Sequence, residues 1–429
     1  MIVFLLLLLL VIGVPIIATF ALVVILNASE WNIDPYSLAS MPFDTVSNFA
    51  LLAIPLFILV GELMNRGGLV AQLTAVCDLF MKRMQAPMGH IMIIASAMMG
   101  AITGSSVATV AAIGGTIGQQ MRKRGYPAGY SAALNAASGL LGVLLPPSIP
   151  LILYGAMVGV SISELFIASL VPGILFIFAC ALVHKFLAPR VLPGGKEIPQ
   201  DEADSVSGAV SPTLPKKQVL LHALPAMILP VLVLGGIFSG IFTATEAAAI
   251  AALYALAVVL LARKTSPSDM MKILEHAALA SAAILAIIAF TSIFNRAMIL
   301  EQVPQSITGL ATSITTDPLL FLLAVNVALL LIGMFMETNA AVLLMGPLLA
   351  PAAASYGFDP IHFGVMLVIN LEIGLMTPPL AANLYVAQRA NGAKLSEMFR
   401  YVPWFLLGAL IVLAMIAYIP FLTTWCQYL

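Results

Sequence analysis

The chain has 429 residues, 62% of them hydrophobic and 9% charged, with a net charge of −1 and a mean hydropathy of +1.09. Soluble globular domains run at about 45 to 50% apolar and about 25% charged, so this composition excludes a soluble domain and describes an all-α polytopic membrane protein. The near-neutral balance, with no long basic run, excludes nucleic-acid binding.

Apolar stretches of about 20 residues suffice to cross the hydrocarbon core. The first, over 2–26, lacks a basic leader and a small-residue cleavage site, so it is expected to stay as a span in the bilayer. A second span is expected over 44–65. The amphipathic stretch over 68–81 reads as a helix along the membrane surface or as an ordinary connecting helix. Next come two stretches too short to span comfortably, 87–103 and 106–121, which meet at Gly104-Ser105-Ser106 and read as a re-entrant hairpin. The helix expected over 128–158 is long enough to cross but carries Pro146-Pro147 in its middle. Proline removes a backbone donor and clashes with the preceding turn, so the doublet forces local unwinding.

A span over 163–188 is followed by a stretch rich in Pro, Gly, Ser and charge, read as a cytoplasmic linker over 191–218. Spans over 219–240, 243–262 and 275–299 come next, then an amphipathic stretch over 302–314. The pattern then repeats: legs over 317–336 and 339–352 meet at Glu337-Thr338-Asn339, and a helix over 360–390 is interrupted at Pro378-Pro379. A last span is expected over 402–424. Gly100 aligns with Gly333 at an offset of 233 and Pro146 with Pro378 at 232, so the spacing between hairpin tip and broken helix is nearly the same in both halves. The expected organisation is a first repeat over 1–190, the linker over 191–218, a connecting span over 219–242 and a second repeat over 243–429.

Basic residues cluster at Lys82-Arg83, Arg122-Lys123-Arg124, Lys185 with Arg190, Lys216-Lys217, Arg263-Lys264, and Arg389 with Lys394 and Arg400. The positive-inside tendency places those loops in the cytoplasm. The base of the first hairpin then faces the cytoplasm. The base of the second, near Asp317 and Asp359, carries acids without Lys or Arg and faces outward. The repeat is therefore expected to be inverted, the arrangement that secondary transporters use to build a site at mid-membrane depth.

At each tip one half-helix ends in unpaired carbonyls that suit a cation, and the next begins with backbone N–H groups that suit an anion. Ser105, Ser106, Thr338 and Asn339 add hard oxygen ligands of the kind small alkali cations prefer. The competing account is that small residues at a tip simply allow close packing. Asn135 and Ser138 in the first half parallel Asn370 and Glu372 in the second, one or two turns before Pro-Pro. A carboxylate at membrane depth costs about 2.5 to 3.5 kcal/mol on insertion scales, so Glu337 and Glu372 are functional candidates. For Glu372 a structural hydrogen-bonding role stands equally open. Thr377 and Asn383 could supply further oxygens. Glu62 and Arg296, at span ends, read as snorkelling, and Glu246 as a cap for the helix that follows it.

Cys77, Cys180 and Cys426 show neither disulfide nor metal-ligand spacing, and His90, His184, His222, His276 and His362 stand far apart in sequence. No His-Glu-x-x-His, Gly-x-Ser-x-Gly or Walker A segment is present, so no enzyme is read from the chain.

Several segments together resemble the large membrane subunit of tripartite ATP-independent periplasmic transporters. They are Leu52-Ala53-Ile54-Pro55-Leu56-Phe57, Gly61-Glu62-Leu63-Met64, Gly104-Ser105-Ser106, Leu145-Pro146-Pro147-Ser148-Ile149-Pro150, Phe242-Thr243-Ala244-Thr245-Glu246-Ala247 and Ile373-Gly374-Leu375-Met376-Thr377-Pro378-Pro379. The resemblance covers nearly the whole chain. It implies a sodium-driven importer of small organic anions such as C4-dicarboxylates or sialic acid, in the bacterial inner membrane. It further implies a soluble periplasmic substrate-binding protein and a small four-helix membrane subunit as partners, and an elevator mechanism. Sodium sites are implied where Gly104, Ser105 and Ser106 meet Gly142, Leu145 and Pro146, and where Glu337, Thr338 and Asn339 meet Gly374, Thr377 and Pro378. Substrate contacts are expected from Ser105, Ser106, Asn135, Ser138, Asn339, Asn370 and Asn383. A stand-alone ion-coupled carrier or antiporter of the same superfamily is the alternative.

Overall fold

A computed structural model describes residues 5, 9, 12, 14–27, 34–81, 84–198, 216–263, 265–379 and 381–425. Most of the first half of the 2–26 span, the pair Lys82-Arg83, Lys264, Cys426 and the linker over 199–215 lie outside the described residues.

Regular structure among the described residues is helical throughout. The first helix–turn–helix unit begins with Pro87–Thr103, where proline stands in the first turn, a position whose N–H has no helical acceptor. Gly104 ends this leg in the left-handed region at φ 62°, returning its N–H to the Gly100 carbonyl at 3.1 Å. Ser105 then caps the second leg, Ser106–Ile113, accepting from Ala108 N at 3.4 Å. A single π turn over Gly114–Gly118 connects that leg to Gln119–Lys123. In the second unit Asp317 caps Pro318–Gly333, and Glu337 caps Thr338–Ser355.

Both proline doublets interrupt their helices. Ala128–Gly139 and Leu141–Leu144 stop before Pro146, and the chain resumes as Ile149–Val158, bent by 40° and capped by Ser148. Pro360–Gly374 stops before Pro378 and resumes as Ala382–Asn391. Six helices are long and apolar enough to cross a membrane among the described residues, and the bent pair adds a seventh. One of the six is Thr338–Ser355, which the sequence reads as a short leg; its 18 residues span about 27 Å, so length alone does not separate leg from span. The 44–65 span is divided: Pro35–Val46 is a separate helix, and a 3₁₀ turn over Phe49–Leu52 leads into Ala53–Arg66.

Packing sorts the helices into two groups drawn from both halves. Ala53–Arg66 packs on Ala244–Ala262 and Pro267–Leu300, while Lys216–Phe238 packs on Leu69–Met81 and Ala244–Ala262. In the other group the halves exchange partners: Ile149–Val158 packs on Thr338–Ser355, and Ala382–Asn391 packs on Ala128–Gly139 and Ser106–Ile113. Leu69–Met81 touches Pro87–Thr103, and Val303–Ile314 touches Thr338–Ser355, so the two amphipathic helices join the groups. At helix ends, Glu62 pairs with Arg66 at 3.2 Å, Arg296 is exposed, and Glu246 forms a capping box with Thr243.

The first few linker residues are docked. Glu197 accepts from Met88 N at 2.8 Å and from Tyr126 Oη at 2.5 Å, and it pairs with Arg124 at 3.4 Å. Ile198 N donates to the Arg124 carbonyl at 3.2 Å. Deeper in, His184 joins Tyr130 Oη through Nδ1 at 2.7 Å and the Ala86 carbonyl through Nε2 at 2.9 Å. Glu197→Ala would strip buried donors of their acceptor, a loss of about 1 to 3 kcal/mol. The expected result is a lower melting temperature in detergent and faster proteolysis of the linker; an unchanged melting curve would show the docking to be inconsequential.

Candidate functional site

The site is assembled where the two tips meet the two breaks. On the first side, the Gly104 carbonyl accepts from Ile149 N at 3.3 Å, tying the tip to the helix restart after Pro146-Pro147. The tip is locked further by Thr109 Oγ1, which donates to the Ser105 carbonyl at 2.9 Å and lies 3.1 Å from Thr103 Oγ1.

Backbone approaches backbone at matching glycines in the two halves. A Cβ placed on Gly100 would fall 2.3 Å from the Leu141 carbonyl oxygen and 2.8 Å from Gly142 Cα. A Cβ on Gly374 would fall 2.6 Å from both Cα and the carbonyl carbon of Gly333. The helix just before each doublet thus crosses the first leg of its own unit with no side chain between them.

The α-helical donors for the carbonyls of Gly142 and Val143, and for those of Gly374 and Leu375, would be the prolines of the doublets, which have no N–H. Gly374 O instead accepts from Thr377 N at 2.8 Å. Each break therefore offers main-chain oxygen with coordinating capacity left beside a tip.

Both tips open onto one cavity of about 40 Å³. Gly104, Ser105 and Ser106 line it from the first unit, Glu337, Thr338 and Asn339 from the second, and Glu372 and Leu375 from the second broken helix. Val143, Ile149 and Pro150 close the opposite wall, and Ile284 of the long helix Pro267–Leu300 reaches in from the other helix group. Since a water needs about 10 to 15 Å³ of such space, the cavity accommodates a few waters or a small cation with part of its hydration shell.

Its oxygens are incompletely satisfied. Thr338 Oγ1, Asn339 Oδ1 and Glu372 Oε2 are buried without a hydrogen-bond partner. Glu337 is better provided for: Oε2 accepts from Ala340 N at 3.2 Å and Oε1 from Asn339 Nδ2 at 2.7 Å. Among the described residues no three His, Cys, Asp or Glu side chains gather as a metal site. The donor set is hydroxyl, amide, carboxylate and carbonyl oxygen, which suits a hard monovalent ion.

The remaining expected residues lie behind this cavity. Gly142, Leu145, Pro146, Gly374, Thr377 and Pro378 form the breaks themselves. Asn135 donates to the Val110 carbonyl at 2.9 Å, and Ser138 receives the Ser96 hydroxyl at 3.2 Å. Asn370 donates to Asn326 Oδ1 at 2.7 Å. These three fasten the broken helices to the legs and do not line the cavity. Asn383 is fully buried beyond the second break, with neither amide atom paired. Sequence reasoning passed over Asn326, although it is the one polar side chain of the 16-residue helix Pro318–Gly333. It also gave no role to Asn295, whose amide donates to the Leu343 carbonyl at 2.9 Å across the helix groups.

The family model described as "Tripartite ATP-independent periplasmic transporter, DctM component" matches residues 2–422. The C4-dicarboxylate TRAP transporter large permease protein of Pseudomonas aeruginosa is 36% identical over 389 residues, 90% of this chain and 87% of its own length. The sialic acid TRAP transporter large permease protein of Vibrio cholerae is 33% identical over 380 residues, 87% of this chain and 85% of its own. The YdaH transporter of Alcanivorax borkumensis superposes with a TM-score of 0.64 over 90% of both chains at 15% identity, a likeness of fold. Tips, breaks and supporting helices all fall inside the matched segment, and the chain belongs to the family of tripartite ATP-independent periplasmic transporters as a large permease, a multi-pass transporter subunit and not an enzyme.

Proposed function

We propose that this chain is the transmembrane carrier of a sodium-coupled, binding-protein-dependent system that imports a small organic anion across the bacterial inner membrane by an elevator movement. The observation that carries the reading is the convergence of both tips on one cavity edged by unpartnered oxygens. One sodium ion is assigned to each break: the first to Gly104, Ser105 and Ser106 with the main chain from Gly142 to Pro146, the second to Thr338 and Asn339 with the main chain from Gly374 to Pro378. Sodium is cargo in this scheme. These residues strip and replace its hydration shell as the tips close.

The anion is assigned to the space between the helix N-termini at Ser106 and Thr338, where backbone dipoles favour negative charge; the present cavity is too small for it, so the tips must part to admit it. Ser105, Ser106 and Asn339 would read its polar groups. C4-dicarboxylates and sialic acid, named for the two relatives, are both carboxylates, which supports that class of cargo. Matching glycine crossings in the two halves support an inverted repeat of re-entrant hairpins. The sorting of helices supports a mobile block of tips and broken helices working against a scaffold. The family supports a small membrane subunit and a periplasmic binding protein as partners.

Reconstitution of both membrane subunits in proteoliposomes, with loaded binding protein outside, tests the reading. Uptake is expected to need an inward sodium gradient and to stop when the gradient is collapsed. Uptake indifferent to sodium would overturn the coupling, and full uptake without binding protein would point to the stand-alone carrier instead.

A further inference from the structure

Two sodium ions, one at each break, leave a charge unaccounted for. Glu372 is 1% exposed and stands on the wall of the cavity between the tips. No Lys, Arg or His lines that cavity, and the charged group acting on Glu372 is another carboxylate, Glu337. A carboxylate held at membrane depth without a cationic side chain is balanced either by a proton or by a cation from outside the protein, and the unpartnered oxygens around this one favour the cation.

Its surroundings are shaped for one. Glu372 shares the cavity wall with Ser106, from the first unit, and Thr338, from the second. Yet neither Glu372 Oε2 nor Thr338 Oγ1, itself 2% exposed, reaches a partner at hydrogen-bonding distance. Buried oxygens left unpartnered on the wall of one small cavity are the hard donors that a small monovalent ion takes as ligands. We propose that Glu372, Ser106 and Thr338 form a third monovalent-cation site between the two tips, in which Ser106 and Thr338, each also assigned to the ion at its own break, are bridged by the carboxylate.

The duplication does not supply this site twice. By the offset of 232 that relates the breaks, Ser138 corresponds to Asn370, and the position equivalent to Glu372 is the fully buried, apolar Leu140, which corrects the looser sequence parallel of Ser138 with Glu372. One ion is therefore held by residues of both halves at once, and its binding draws the two tips together, whereas each break site acts on its own tip alone. Ile284, entering from the other helix group, adds an apolar side chain to the wall of this cavity.

The inference rests on the sodium-coupled reading, and the test separates the two. Equilibrium binding of radioactive sodium to the purified complex of both membrane subunits gives ions bound per large subunit and the Hill coefficient. Glu372→Gln keeps the shape of the side chain and removes its charge. It is expected to lower the count by about one ion and to reduce the Hill coefficient while saturable sodium binding persists. Leu140→Glu is not a substitute, because it buries a new charge, so Glu372→Asp provides the second variant. By drawing the carboxylate back from the hydroxyls, it should retain the ion count but weaken one class of site about tenfold. Glu372→Gln with the wild-type ion count and Hill coefficient would overturn the shared site and leave the break sites standing. Wild-type protein that binds no sodium would sink the coupling itself. If Glu372→Gln does not fold, wild-type affinity for every ion in Glu372→Asp would overturn the proposal.

Discussion

Alanine at Gly100 or at Gly374 is expected to cut transport by at least about tenfold, whereas Gly235→Ala leaves it unchanged. The first two positions are crossings where the intruding methyl meets main chain: the Leu141 carbonyl at 2.3 Å in one half and Gly333 at 2.6 Å in the other. A side chain could rotate away, but backbone in a packed interior can yield only by moving a helix. Overpacking of that kind costs about 1 to 3 kcal/mol. The displacement would separate tip from break, the two elements that together form each proposed cation site. Gly235 has open space around its missing Cβ, so alanine there gains helix propensity of about 0.8 to 1.0 kcal/mol and nothing else. Initial uptake rates in proteoliposomes, with melting temperatures of the same preparations, check the contrast. Wild-type uptake by both crossing variants would mean that the tips need not sit against the breaks.

The parts of this site that announce themselves in the sequence are those that break a local rule. Gly104-Ser105-Ser106 and Glu337-Thr338-Asn339 interrupt apolar stretches with small or polar residues, and Pro-Pro in a span must end a helix, so tips and breaks fall where the spacing puts them. The Pro87–Thr103 leg and the start of Val303–Ile314 after Gln302 follow from equally local signals, a proline in the first turn and a change of periodicity.

What remained hidden depends on contacts between segments far apart in the chain. Asn135, Ser138 and Asn370 stand close to the breaks in sequence, but helical rotation turns them toward Val110, Ser96 and Asn326, away from the cavity. Ile284 looks like any lipid-facing residue of an apolar helix, and only the assembled fold brings it to the tips. His90 and His184 are separated widely in sequence, yet their rings meet edge to face at 4.7 Å. Pro35–Val46 carries two prolines, two serines and an aspartate, too polar a mixture for a hydropathy window to register as a helix. Glu197 belongs to a stretch with the composition of a free linker, and its docking depends on donors from Met88 and Tyr126 that no local pattern signals.

Thr338→Ala and Ser106→Ala should each raise the sodium concentration for half-maximal uptake about tenfold without loss of folded protein. Both hydroxyls lie on the cavity wall at the start of a helix, and Thr338 Oγ1 is buried with no partner to lose, so its removal deletes a ligand and not a structural bond. A hydrogen bond to a charged group contributes about 1.5 to 3 kcal/mol, a scale that serves for a hydroxyl ligand to an ion, and about 1.4 kcal/mol is already a factor of ten in affinity. Capping is preserved in both variants, because Ser105 and Glu337, the residues one position earlier, hold the helix N-termini. That separation of roles allows affinity to fall while the melting temperature without sodium stays put. Thr338→Ser, which restores the oxygen and omits the methyl group, should recover most of the lost affinity. If both alanine variants titrate with sodium as the wild type does, the ions are bound elsewhere, and the convergence of the two tips serves packing instead.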